Sequence, residues 1–224
     1  MDFLDYFEIF GYLFVVLASI LAIIASSNVN RTFKKYSLQF SRRGITAAEA
    51  ARRVLSAGGV DGVRISRTRG NLTDHFDPRD NTIYLSESVY DSTSTAAIGV
   101  AAHEAGHAVQ HAKGYLPGRI RSAIVPVTNI GARLSTPLIL IGLLLSFYAG
   151  YEAGSEIALL GVLFFSLSVV FQLVTLPTEF DASARAMTAL KEGGILEEVE
   201  LVGARKTLTA AAMTYVAALA VALL

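Results

Sequence analysis

The chain has 224 residues, 53% of them hydrophobic and only 17% charged, with 19 Lys and Arg balanced by 19 Asp and Glu. A soluble domain averages about 25% charged residues, so this composition points to a membrane protein carrying a soluble part. Zero net charge removes the bulk argument for nucleic-acid binding. The lack of cysteine excludes disulfides and thiolate metal ligation and leaves the redox compartment open.

Ile9–Ser27 is a run of 19 residues without a charge, close to the roughly 20 that span a bilayer. The residues ahead of it are acidic where a secretory signal would be basic, so the run reads as a retained span. Residues 1–29 are therefore expected to form an N-terminal transmembrane helix. A second unit, residues 30–133, opens with the basic, partly aromatic Asn30–Arg43, which suits a juxtamembrane anchor meeting anionic headgroups. Thr46-Ala47-Ala48-Glu49 is a capping box that starts a helix, and Gly58-Gly59 stops it. Three β-prone runs follow, Val63–Arg67, Leu72–Phe76 and Thr82–Ser86, separated by turn residues. They predict a small antiparallel meander. Thr82–Ser86 at an edge could bind an extended peptide by strand addition; the alternative is a covered sheet strand.

Next comes His103-Glu104-Ala105-Gly106-His107, which reads H-E-x-x-H, in a helix capped by Ser92 or Ser94 and ended near Gly114. Residues i and i+4 differ by about 40° in azimuth, so His103 and His107 share a face and can take two corners of a zinc site. Glu104 is placed to reach a metal-bound water and take its proton. Apart from these three residues, Ala96–Val109 is almost entirely small or apolar. Burying two imidazoles and a carboxylate there is costly unless something binds them.

Leu134–Tyr151 and Ile157–Leu176 predict a transmembrane hairpin, residues 134–176, and Leu208–Leu224 a fourth span, residues 208–224. Residues 177–207 fall between them. Pro177-Thr178 is expected to open a new helix, Glu179–Glu192, and Glu197–Lys206 to form an amphipathic lead into the last span. All 19 Lys and Arg lie in Arg31–Arg133 and Arg185–Lys206. The positive-inside rule puts both segments in the cytoplasm, with the N-terminus, the acidic 151–156 loop and the C-terminus outside.

A catalytic zinc takes three protein ligands and keeps one position open. His111 is i+4 from His107, but the metzincin pattern fails, with Gln110 where Gly and Lys113 where the third His would stand. His111 reads as a surface or supporting residue. Glu152 and Glu156 fall on the outer side, a bilayer away from the His pair. Glu179 and Asp181 fall on the inner side. Glu179 is the candidate third ligand, against the alternative of an ordinary helix-start acid, and Asp181 could orient a ligand histidine.

Four stretches together resemble the YugP-like membrane neutral zinc metallopeptidases of bacteria, a gluzincin-type family. They are Asp74–Pro78, Ala101–Ala108, Leu176–Ser183 and Ala210–Ala217. The resemblance covers nearly the whole chain and implies a Zn2+ site of His103, His107 and Glu179 with Glu104 as base, in the bacterial plasma membrane. Gluzincins more broadly carry Asp four residues after the ligand Glu; here Ser183 stands there, so that supporting role passes to Asp181 or is lost.

The fold class expected is thus a mainly α membrane protein, with about four transmembrane helices and a small cytoplasmic α+β zincin-like unit. The function expected is zinc-assisted hydrolysis of a peptide or membrane-protein substrate beside the lipid bilayer, with no nucleic-acid partner. Oxyanion stabilisers are sought in Tyr215, His75 and Arg185, with Arg185 better suited to pairing with Asp181 or Glu179. A non-catalytic zinc-stabilised scaffold is the rival; it has no use for Glu104. Cleavage within the bilayer is a weaker rival, because the apolar run around His103 is short for a span and is bracketed by Asp91 and Lys113.

Overall fold

The computed structural model describes residues 3–149 and 151–223. Met1, Asp2, Gly150 and Leu224 lie outside the described residues, and with them the start of the acidic leader, one residue of the predicted second span and the last of the fourth. The order of elements is α1 (Phe3–Tyr36), α2 (Ala47–Ala57), β1 (Arg64–Thr68), β2 (His75–Asp77), β3 (Thr82–Ser86), α3 (Thr95–Ala112), α4 (Leu116–Ala149), α5 (Tyr151–Glu192) and α6 (Glu198–Leu223).

Helices α1, α4, α5 and α6 are each long and apolar enough to cross a membrane. At 34, 34, 42 and 26 residues, the first three exceed what a bilayer needs and project beyond it. Large apolar side chains such as Val15, Ile23, Leu144, Phe147 and Leu163 stand exposed along α1, α4 and α5, a surface that suits lipid and not water. Helices α4 and α5 form a tight hairpin through small residues. A Cβ at Gly142 would strike the Ala158 backbone, and one at Gly161 would lie 2.8 Å from the Ile139 nitrogen.

The polar part gathers at one end of these helices. Its core joins Val54 and Leu55 of α2, Ile83 and Leu85 of β3, Ile98 and Val109 of α3, Leu190 of α5 and Leu201 and Leu208 of α6. Thr46 caps α2 by accepting from the Glu49 N–H at 3.2 Å, while the Glu49 carboxylate turns to Arg53 and leaves the capping box half formed. Ser94 caps α3 through the Ala97 N–H. Helix α3 carries small residues on nearly every side, with Ala96, Ala97, Ala101, Ala102 and Ala105 fully buried, so α2, α5 and α6 can all approach its axis closely.

Two expectations need correction. The sheet is mixed, not an antiparallel meander: its order is β1-β3-β2, with β1 parallel and β2 antiparallel to β3. Ile83 and Leu85 are fully buried, and that apolar content draws β3 to the centre, so Thr82–Ser86 is not an edge strand. The chain leaves β1 through a turn with positive φ at Gly70 and Leu72, takes the far edge as β2, and returns through Asn81, φ 54°. The second correction concerns Pro177, which opens no new helix. Helix α5 runs unbroken from Tyr151 to Glu192, as a proline can within a bundle whose neighbours stabilise the flanking turns. Glu179 therefore lies deep inside a helix, and the argument from a helix-start dipole falls away.

Candidate metal centre

The site forms where α3 crosses α5. A Cβ added at Gly106 would lie 2.5 Å from the Ala182 carbonyl oxygen, so the glycine inside H-E-x-x-H is what lets α5 come close enough to lend a side chain. His103 and His107 stand one turn apart on α3, rings 4.6 Å between centroids and nearly perpendicular. Between them enters Glu179, only 2% exposed. Its Oε2 lies 3.1 Å from His103 Nε2 and 3.6 Å from His107 Nε2, and one ligand atom from each of the three lies within 4.8 Å of the others. Tetrahedral zinc with bonds of about 2.0–2.1 Å separates neighbouring ligand atoms by roughly 3.3 Å. The two imidazole–carboxylate distances bracket that value, so the donor set fits zinc.

Both rings are held from behind. Gln110 Nε2 donates to the Thr178 carbonyl at 2.8 Å and to Asp181 Oδ2 at 2.7 Å. With its amide nitrogen committed to two acceptors, its Oε1 must face His107 Nδ1, 3.0 Å away. His107 then donates from Nδ1 and keeps its lone pair on Nε2, towards Glu179. Asp181 is fixed in turn by Arg185 Nε at 2.5 Å, and so orients a ligand histidine through Gln110 and not directly. His103 Nδ1 has Ser183 Oγ at 3.0 Å; the serine that departs from the wider gluzincin pattern still supports a ring. Arg121 Nη1 of α4 lies 3.2 Å from Glu179 Oε1. The pair is at ionic distance but misses hydrogen-bond geometry, since that oxygen has no hydrogen-bond partner among the described residues. Nε2 can carry a proton towards Glu179 in place of a metal: burial lowers the proton affinity of His107, but the bond to Glu179 and the charges of Glu104 and Glu179 outweigh it and raise the imidazole above its ordinary pKa.

Glu104 is nearly buried, at 9% exposure. Its Oε2 accepts from the Phe76 N–H on edge strand β2 at 2.9 Å. A cavity of about 210 Å³ lies over the cluster, lined among others by His103, Glu104, Glu179, Ser183, Asp74 and Tyr215. Asp74 accepts from the Ser86 N–H at 2.7 Å and from its hydroxyl; burial is the main reason its carboxyl is raised above the ordinary value, and Glu104 adds to it.

Of the residues singled out in the sequence, His103, Glu104, His107, Glu179 and Tyr215 come together here. His75 does not: it is exposed on β2, stacked on Tyr84 at 5.0 Å, its Nδ1 2.9 Å from the Thr73 carbonyl oxygen. His111 is exposed beside Phe76. Sequence reasoning passed over Gln110, Ser183 and Arg121 as site residues. Gln110 was within reach, one helical turn from His107; Arg121 belongs to another helix and left no local signal.

Four membrane-length helices around an H-E-x-x-H helix that meets a glutamate define a membrane protein of the zinc metallopeptidase class. The family described as "Putative neutral zinc metallopeptidase" matches residues 11–224, and the chain belongs to it. It is also 41% identical over 213 residues, 95% of this chain and 92% of the other, to "Putative membrane protease YugP" of Bacillus subtilis (strain 168). No solved structure matches. The cofactor of the family is zinc, and His103, His107 and Glu179 form the group with donors to hold it.

Proposed function

We propose that this protein is a zinc endopeptidase of the bacterial plasma membrane that cuts peptide or membrane-protein substrates at the cytoplasmic membrane face. One observation carries the reading: a carboxylate outside the His103–His107–Glu179 donor set, Glu104, lines the same cavity as His103 and Glu179. A structural metal site would need no such group. When bound, zinc supplies Lewis acidity, which lowers the pKa of water to about 7 and polarises a carbonyl. Gln110 accepts from His107 Nδ1 and so leaves the Nε2 lone pair for a metal, while Ser183 engages His103 Nδ1. Glu104 takes the proton of the attacking water and returns it to the leaving amine. The Phe76 N–H holds that carboxylate in place. Tyr215 supplies an O–H donor from the cavity wall for the developing oxyanion. His75 is too committed to Tyr84 and Thr73 to share that work. The cytoplasmic orientation rests on the confinement of all 19 Lys and Arg to two segments.

Glu104→Gln tests the reading. The substitution is nearly isosteric, so zinc content and folding should be retained while kcat falls by about three or more orders of magnitude. Full rescue of a deletion strain by Glu104→Gln at normal protein level would remove the peptidase reading even with zinc present.

A further inference from the structure

Burying a carboxylate is costly unless both of its oxygens find partners. Glu179 commits its two oxygens very differently. Oε2 faces the histidines, 3.1 Å from His103 Nε2 and 3.6 Å from His107 Nε2. Oε1 is buried, and no donor among the described residues hydrogen-bonds to it. What it meets is a charge, Arg121 Nη1 at 3.2 Å. Among the described residues no other Lys or Arg pairs with Glu179, and Arg121 makes no other ion pair. The arginine side chain is 30% exposed and its partner 3%. The cation keeps part of its hydration while the carboxylate keeps almost none, so the contact serves Glu179 more than Arg121.

Helix α4 is placed to deliver that charge. Its start packs on the turn of α5 that carries the ligand. The Tyr115 hydroxyl, just ahead of α4, lies 3.5 Å from the Pro177 carbonyl oxygen. A Cβ at Gly118 would lie 3.8 Å from the Thr178 methyl carbon. Arg121 comes one turn after Gly118, and Glu179 is the residue after Thr178. Glu179 lines the cavity over the cluster and Arg121 does not. The guanidinium therefore stands behind the ligand and outside the cavity.

The last torsion of a glutamate is broad and roughly two-fold. Beside an ion, an unrestrained carboxylate can offer either oxygen or both. A second oxygen would take up the position that a catalytic zinc keeps open. A positive charge on one side breaks the symmetry, because the oxygen paired with it cannot also turn to the metal.

We propose that Arg121 is a positioning residue: by holding Glu179 Oε1 it makes the carboxylate present Oε2 alone to the metal, and so keeps one position of the ion open. The inference rests on the His103–His107–Glu179 donor set and does not require the peptidase reading.

The test uses the full chain in detergent micelles, stripped of metal and reloaded with zinc or cobalt(II). Cobalt absorbs visible light strongly in a four-coordinate site and weakly when further ligands join, so its spectrum reads the donor count directly. Arg121→Gln should lower zinc affinity against a competing chelator by about tenfold or more, and should weaken the cobalt absorption. Arg121→Met removes the charge and keeps a packed stem; it should do the same, and it keeps the test valid if Arg121→Gln misfolds. Arg121→Lys retains a cation and should recover most of both losses. Arg119→Gln removes an exposed charge from the same helix and should change neither readout. A parent-like cobalt spectrum and zinc affinity in Arg121→Gln or Arg121→Met would overturn the proposal. So would Arg121→Lys no better than Arg121→Met, which would mark a packing role, or an equal loss in Arg119→Gln, which would mark a general effect of charge. None of these readouts needs a substrate, so the proposal stands or falls apart from the peptidase reading, which Glu104→Gln decides.

Discussion

Ligand residues are only as well placed as the groups behind them, and here those groups differ for the two histidines. His103 leans on a hydroxyl, whereas His107 is held by an amide that is itself pinned by a carbonyl and by the Asp181–Arg185 pair. Gln110→Leu removes the acceptor for His107 Nδ1 and one of the two donors to Asp181 Oδ2, leaving Arg185 as the other. Zinc affinity measured against a competing chelator should fall by about 10–100-fold. Ser183→Ala should cost less, because water can replace a single hydroxyl at a half-buried ring. If Gln110→Leu bound zinc as tightly as the parent, Nδ1 support would not set the affinity of this site. The sequence exposed the candidate donors more readily than these supports. H-E-x-x-H is a local pattern readable from helical spacing, and Glu179 followed from charge and topology. Arg121 and Glu179 are 58 residues apart, and only the packing of α4 against α5 brings them together.

At the scale of elements, one close approach decides whether the site exists. Gly106→Ala would put a methyl group against the Ala182 backbone, which unlike a flexible side chain cannot swing aside. We expect α5 to be pushed from α3, stability to fall by about 1–3 kcal/mol, and zinc to bind more weakly because Glu179 retreats with the helix. Unchanged thermal unfolding and zinc content would show that the crossing can relax. The β2–β3 hairpin carries a pH dependence of its own. Arg79 hydrogen bonds hold Asp77 down at about 2 from an ordinary 3.8. A lowered carboxylate stabilises the fold fully above its unfolded value, and that contribution disappears as pH falls from about 4 towards 2. The difference in unfolding midpoint between the parent and Asp77→Asn should shrink across that window and shrink further in high salt, since Arg79 is exposed. The hairpin was legible in its turn residues, but the strand order was not. Alternation identifies strands without ranking them, and only the burial of Ile83 and Leu85 puts β3 in the middle. Pro177 misled for a related reason: a proline ends a helix in water more readily than in a bundle whose neighbours hold the chain helical on both sides.

For the whole molecule, the sequence located all four long helices, because runs of about 20 apolar residues have few other uses. It understated their length. Residues 116–133 of α4 and 177–192 of α5 extend beyond the predicted spans, and they bring Arg121, Glu179 and Ser183 to the metal centre. Their charges end the hydropathic runs, so Glu179–Glu192 reads as a separate helix and not as the continuation of a span. Orientation can now be tested on the intact protein, which contains no cysteine. Glu152→Cys lies in the first turn of α5 at an exposed position, and Lys113→Cys lies at the exposed C-terminal cap of α3. With the basic segments in the cytoplasm, a membrane-impermeant maleimide added to intact cells should label Glu152→Cys and spare Lys113→Cys until the membrane is permeabilised. The opposite pattern would put the metal centre outside the cell. The exclusion of Glu152 and Glu156 as ligands would survive that reversal, because both still lie at the far end of α5 from His103. The cytoplasmic site of cleavage would not.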